Sequence, residues 1–236
     1  DFINIPTTLL AQVDASVGGK TGIDFNKYKN IIGTFSNPLA VYIDTIFLKT
    51  LDTRQYLSGY AEMIKHALLA GNSSFNDIIK TEPFNHNNIK NLIYQSVLFK
   101  NKIVENDFKE NGIRKTLNLG HTIGHAVETL YLDSNNKLLH GEAIAVGLIC
   151  ECFLSNLKFG LPIKIVENVK KYINTYYNLP KIPLSNYDTI IKIMKKDKKN
   201  RNSKIKFSIL KNIGNCLFDV DISNEDIIKS FEYYNS

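Results

Sequence analysis

A chain of 236 residues that is 44% hydrophobic and 11% aromatic carries enough apolar side chain for a proper core, which excludes a disordered or fibrous protein. Its formal charge of +6 concentrates only at 195–201. No zinc-finger, RNA-recognition or basic-zipper signature accompanies that run, so a solvated loop or an anion-binding lysine outweighs a nucleic-acid patch. The cysteines Cys150, Cys152 and Cys216 are too few for a disulfide framework, and the longest apolar run, around 143–150, ends at Glu151 short of membrane-spanning length; reduced thiols and a cytoplasmic location are expected.

Residues 1–6 read as a strand entering a turn with no methionine before it, and a further domain is expected upstream. Pro6-Thr7-Thr8 leads into a short apolar stretch, 9–13, and then a glycine-containing loop, 14–22. Gly19-Lys20-Thr21 ends like a phosphate-binding P-loop, but that motif needs glycine where Asp14 stands, and a carboxylate aimed at phosphates repels them. A plain turn and a functional loop are evenly matched on this string alone. The density of Asp14, Lys20, Lys29 and Asn30 favours an anionic polyol phosphate. An extended run, 39–43, follows the turn Ser36-Asn37-Pro38.

After Leu51 the apolar spacing becomes helical, and helices are predicted at 54–70, 89–106, 115–130, 141–157, 163–177 and 187–195. Residues 204–210 alternate like a strand that pairs with 215–220 through Asn212-Ile213-Gly214, and 225–234 closes as a helix. In a helix at 115–130, Arg114, Asn118, His121 and His125 share one face. His140 opens another helical run and Glu62 lies in an earlier one, so Glu62, His121 and His140 offer one oxygen and two nitrogens to a catalytic divalent metal with an open position. A single helical histidine is more often a core residue than a ligand, yet three of the five histidines cluster here. Thr122 stands where a zinc protease needs glutamate, which disfavours that chemistry.

Read together, the strings 6–21, Gly59-Tyr60-Ala61-Glu62-Met63-Ile64-Lys65, 117–125 and His140-Gly141-Glu142-Ala143 closely resemble the 3-dehydroquinate synthase family, from the first residue to at least the region 195–210. The resemblance implies a mainly α C-terminal domain at 51–236, preceded at 1–50 by a remnant of an α/β dinucleotide-binding domain. It implies an NAD- and metal-dependent carbon-oxygen lyase of the shikimate pathway, which makes 3-dehydroquinate and phosphate from 3-deoxy-D-arabino-heptulosonate 7-phosphate. The implied cofactors are NAD and zinc or cobalt. The implied partner is a small sugar phosphate, not nucleic acid or membrane, and the full-length assembly is a homodimer.

By position the resemblance makes Glu62, His121 and His140 the metal ligands. It places Asp14, Lys20, Lys65, Lys100, Arg114, Asn118, His125 and one of Lys198 or Lys199 around substrate and its protons. Thr7, Thr8, Lys29, Asn30, Phe47, Leu48, Lys49 and Thr50 fall where family members touch NAD, and His66, a rival ligand four residues after Glu62, is read as structural. The family's glycine-rich dinucleotide loop lies before this chain begins, so most of an NAD site is expected elsewhere. Tyr60 and the extra residues at 133–137 are read as packing and loop variation.

Plainer alternatives exist for several residues: Lys65 and Lys100 as solvated helix lysines, Arg114 paired with Glu110, and Asp14 capping a turn. The competing functions are another NAD- and metal-dependent sugar-phosphate cyclase, a metal-dependent polyol dehydrogenase, and a non-catalytic basic binding domain. Arg114, Asn118 and His125 together favour the dehydroquinate enzyme, and a mere scaffold gains nothing from burying so many charges.

Overall fold

The computed structural model describes residues 1–25, 28–196 and 204–236. Before Leu51 lie the strands β1 (Ile3–Asn4), β2 (Lys20–Phe25), β3 (Tyr28–Phe35) and β4 (Ala40–Val41). Strands β1 and β4 pair in parallel, Ile3 with Ala40 and Asn4 with Val41, so the predicted extended runs at 1–6 and 39–43 meet. The residues between them form a helical turn, Ala11–Ala15, and the antiparallel hairpin β2–β3. The glycine loop is therefore shorter than its sequence pattern predicts: Lys20 already stands in β2, paired with Phe35. The difference arises because strand pairing with a segment ten or more residues away leaves no local trace in a glycine-rich string.

From Thr53 onward the fold is mainly helical: α1 (Thr53–Ala70), α2 (Asn72–Lys80), α3 (His86–Asn106), α4 (His121–Tyr131), α5 (His140–Phe159), α6 (Ile163–Tyr176) and α7 (Tyr187–Lys196). The hairpin β5 (Lys206–Asn212) and β6 (Asn215–Asp221) and a last helix, α8 (Asn224–Asn235), complete it. Among the described residues no helix is long and apolar enough to cross a membrane. Helix α2 is faint in the sequence because Phe75 and Ile78 are the only apolar side chains it buries among six polar neighbours.

Helix α5 is the axis of the helical part. Its segment 143–150 is buried on every side, as expected of a helix that is apolar all round, and α1, α4, α6, α8 and β5 pack on it. Tyr172 and Tyr177 tie α6 and its end to α1 by hydrogen bonds to Tyr60 Oη (3.1 Å) and Leu57 O (2.8 Å). Asp52 caps α1, accepting from Arg54 N at 2.9 Å, and Glu142 caps α5, accepting from Leu139 N at 2.7 Å while its carboxylate also holds Arg54.

One predicted helix is broken. The segment expected to run unbroken through 115–130 is a tight turn, Ile113–Asn118, followed by α4, with the chain reversing at Gly120 (φ 79°). Only glycine adopts that conformation without strain, so Arg114 and Asn118 do not share a helix face with His121 and His125. Close packing fixes the break. A Cβ at Gly147 of α5 would stand 1.9 Å from the Gly120 carbonyl oxygen, so α4 and α5 touch backbone to backbone there. Alanine in mid-helix ordinarily stabilises by about 0.5–1 kcal/mol over glycine. Here Gly147→Ala is expected to destabilise by roughly 1–3 kcal/mol through overpacking, read as a lower urea midpoint; an unchanged or raised midpoint contradicts this packing.

Candidate metal and anion site

Three helices deliver one polar cluster. The middle of α1 supplies Glu62, Lys65 and His66, the first residue of α4 is His121, and the first residue of α5 is His140. Glu62 is fully buried, and its Oε1 lies 3.5 Å from Nε2 of both His121 and His140. Each ring is oriented from behind: His121 Nδ1 donates to Leu119 O (3.1 Å) and His140 Nδ1 donates to Glu128 Oε2 (3.3 Å). His121, with its proton on Nδ1, turns its Nε2 lone pair toward Glu62 Oε1, whereas His140, kept charged in the metal-free chain by Glu128 and Glu62, presents Nε2–H to the same oxygen. Two imidazole nitrogens within 3.5 Å of one carboxylate oxygen fit a cation once His140 gives up its proton, and the groups behind the imidazoles are the outer-shell partners that metal-binding histidines use. His125 closes the cluster, its ring centroid 5.1 Å from that of His121 and 5.8 Å from that of His140.

Electrostatics follow from burial and these neighbours. Burial alone would raise the Glu62 carboxyl, but the Lys65 ammonium, which pairs with Oε2, and the two histidines outweigh it and hold the group well below the usual carboxylate range. Burial and Lys65 push His121 well below the ordinary imidazole value. Burial also opposes protonation of His140, yet Glu128 and Glu62 win and raise it to about 9.

Beside this cluster Lys100 Nζ donates to Asp14 Oδ1 at 2.7 Å, and one oxygen each of Asp14 and Glu62 and one nitrogen of His66 lie within 4.8 Å of one another. Lys65 and Lys100 are 1% and 6% exposed, so the reading of either as a solvated helix lysine is wrong. His66 bonds Ser96 Oγ through Nδ1 (2.6 Å), and burial with Lys65 lowers it to about 3, in keeping with a structural, neutral imidazole.

A third group surrounds the turn before α4. Arg114 donates to the carbonyls of Gly18 (2.8 Å) and Phe108 (2.5 Å), while Asp107 gathers the backbone amides of Asn111, Gly112 and Arg114. Glu110, at φ 59°, reaches Lys20 and accepts from Asn118 Nδ2 at 2.8 Å. The Glu110 carboxylate considered from sequence as a local partner of Arg114 does act on its guanidinium electrostatically, and it also bridges Lys20 and Asn118. Asp14 does not cap the next turn; its side chain faces Lys100.

Of the positions expected near NAD, Thr7, Phe47, Lys49 and Thr50 are exposed, and Thr8 Oγ1 accepts from Ala11 N at 3.2 Å. Leu48 is 4% exposed and belongs to the core, so its side chain is not available to a ligand. Lys29 and Asn30 lie in β3 with side chains outside the described residues, as do Lys198 and Lys199 altogether. Sequence reasoning passed over Glu110, Glu128 and Asp107 as parts of the site. Glu128 had a local signal, three residues after His125 on the same face of α4, and Glu110 one in its spacing four residues before Arg114.

A buried carboxylate and two imidazoles at two helix starts, flanked by lysines and an arginine, make a polar cluster suited to a cation and an anion within a mainly helical fold joined to α/β elements. Solved structures share the fold: 2-epi-5-epi-valiolone synthase from Streptomyces hygroscopicus, with NAD+ and Zn2+ bound, aligns with TM-score 0.84 and 23% identity over 98% of this chain and 65% of that one. A 2-deoxy-scyllo-inosose synthase complexed with carbaglucose-6-phosphate, NAD+ and Co2+ aligns with TM-score 0.78 and 24% identity over 99% and 65%. The family models for 3-dehydroquinate synthase N-terminal and 3-dehydroquinate synthase C-terminal match residues 1–58 and 59–200, and the chain belongs to the 3-dehydroquinate synthase family. It is 45% identical over 234 residues to the 3-dehydroquinate synthase of Parabacteroides distasonis and 41% identical over 239 to that of Pelagibacter ubique, covering 98% and 96% of this chain but 66% and 63% of those proteins.

The raised His140 sets a pH dependence for the metal-free chain. A histidine whose folded value, about 9, exceeds its ordinary 6.5 contributes stability fully present below pH 6.5 and lost as pH rises through 9. His66 and His121, both lowered, act in the opposite sense and only below about 6.5. Urea midpoints of the chelator-treated chain should therefore fall between pH 6.5 and 9, and His140→Gln should flatten that fall; an equal slope in the variant refutes the assignment.

Proposed function

We propose that this chain is the metal- and substrate-binding part of a 3-dehydroquinate synthase, converting 3-deoxy-D-arabino-heptulosonate 7-phosphate to 3-dehydroquinate and phosphate. The observation that carries the reading is the convergence of two Nε2 atoms on Oε1 of buried Glu62. Glu62, His121 and His140 would hold a divalent ion, zinc or cobalt, which when bound polarises a substrate hydroxyl and leaves coordination open to it. The family's NAD would meet this chain at Thr7, Thr8, Lys29, Asn30 and the backbone and exposed side chains of 47–50. A cytoplasmic homodimer goes with the same reading.

The chain's own side chains account for substrate handling. Two donors of Arg114 hold the carbonyls of Gly18 and Phe108, and its remaining donors are suited to a phosphate or carboxylate. Lys65 is a buried positive charge next to the cluster, where low dielectric strengthens its hold on a leaving phosphate dianion. Asp14 and Lys100, already paired, offer an acceptor and a donor to substrate hydroxyls, and Lys20 and Asn118, bridged by Glu110, offer donors to its anionic end. Lys198 or Lys199 is proposed as a further phosphate contact. His125, packed against both other imidazoles, is the side chain best placed to take and return a proton.

Another sugar-phosphate cyclase is the competing reading, resting on fold likeness at 23–24% identity; the 45% identity to a 3-dehydroquinate synthase favours the first. The test is phosphate release from the heptulosonate phosphate by a chimera in which this chain follows the N-terminal residues of the Parabacteroides distasonis relative. Release should require NAD, stop with a chelator and return with zinc or cobalt. Arg114→Ala and His125→Ala should each lower kcat/KM by about 10²-fold or more, whereas the chain by itself should bind metal but release little phosphate. Turnover indifferent to both substitutions would show the site to be misplaced.

A further inference from the structure

Helix α4 starts without a side chain of its own to cap it. Its cap position is Gly120, so the first amides of the helix must find acceptors elsewhere, and both Gly120 and Ile123 are buried away from water. The acceptor comes from α5. Glu151, fully buried on an otherwise apolar stretch of that helix, accepts from Gly120 N at 2.6 Å through Oε2 and from Ile123 N at 3.1 Å through Oε1. A buried carboxylate without donors is costly, and here the donors are the positive end of α4.

We infer that Glu151 is a positioning residue for His121, acting through one peptide group; the inference rests on the metal reading above. The Gly120 N–H and the Leu119 carbonyl belong to the same planar peptide. Glu151 holds that plane by its N–H, and its C=O accepts the Nδ1 proton of His121 at 3.1 Å. The relay thus runs carboxylate, peptide, imidazole, and it aims Nε2 at Glu62. Its far end is anchored as well. The Glu151 carbonyl accepts from Ser155 Oγ (2.7 Å), which in turn accepts from Leu210 N of β5 (3.0 Å). The second bond, to Ile123, fixes the rotation of α4 and with it His125, two residues further on. None of these contacts touches substrate, so Glu151 acts only by setting where the imidazoles point.

The test compares wild type, Glu151→Gln, Glu151→Asp and Ile149→Ala, the last a core truncation two residues away, on the opposite side of α5, that destabilises without removing a relay bond. Cobalt chloride is titrated against a chromophoric chelator, the visible Co2+ spectrum is recorded, and amide exchange is followed at Gly120 and Ile123 in the metal-free protein. Glu151→Gln presents an NH2 where one amide needs an acceptor. It should weaken Co2+ binding about 10- to 100-fold, alter the visible bands and speed exchange at both amides more than at Leu154. Glu151→Asp, keeping the charge, should recover part of each effect, and Ile149→Ala should keep wild-type affinity and spectrum despite lower stability. Wild-type affinity and spectrum in Glu151→Gln, or an equal loss in Ile149→Ala, overturns the inference. If wild type itself binds no Co2+, the metal reading fails separately, and unchanged exchange at Gly120 and Ile123 in Glu151→Gln then overturns the relay on its own.

Discussion

A carboxylate with no access to water sits at the meeting point of three helices, and its charge has to be balanced there. Glu62 is pulled from solvent by the packing of α1 against α5, on which α4 also packs, at a desolvation cost that grows steeply as an ion becomes isolated in the interior. Lys65 one turn along α1 supplies part of the balance. In the metal-free chain a charged His140 supplies more of it, and a divalent ion between Glu62 and the two Nε2 atoms would take over that role with the His140 proton released. Glu128 and the Leu119 carbonyl keep the rings turned toward Glu62.

The helical scaffold can be read as what that convergence demands. For His121 and His140 each to open a helix against the same side of α1, the helix starts must approach closely. Glycine at 120 and 147 permits this, and a Cβ at Gly141 would likewise stand 1.9 Å from the Ser58 carbonyl oxygen of α1. Side chains larger than hydrogen would push the imidazoles outward. The same close approach leaves α4 without a local cap, a need that Glu151 meets from α5.

Much of the fold was legible in the sequence where the signal is local. The amphipathic runs of α1, α3, α6 and α7, the apolar run of α5 and the alternation of β5 and β6 follow from side-chain period alone. Helix α2 is short and mostly polar, with only Phe75, Ile78 and Ile79 to mark its face, and the β2–β3 hairpin, whose glycines Gly22 and Gly33 stand opposite each other, has no such period. The break at Gly120 was hidden because a glycine inside an apolar helical spacing is usually tolerated, and what forbids the helix here is contact with Gly147, 27 residues on. Residue type and resemblance to a family singled out Glu62, His121 and His140, and the fold brings them together. The partners of Glu110, Glu128 and Glu151 across the fold, Lys20, His140 and the start of α4, were not legible, since a glutamate's distant partner is settled only by tertiary packing.

The central claim is that one divalent ion binds between Glu62, His121 and His140. X-ray absorption at the zinc edge, together with anomalous difference density from crystals grown with zinc, tests it most directly. The account predicts a single ion with two imidazole nitrogens at about 2.0–2.1 Å and a carboxylate oxygen at about 2.0–2.2 Å, lying on the line of approach of His121 Nε2 and His140 Nε2 to Glu62. Zinc held by Asp14 and His66, or density that leaves Glu62 unligated, would contradict it.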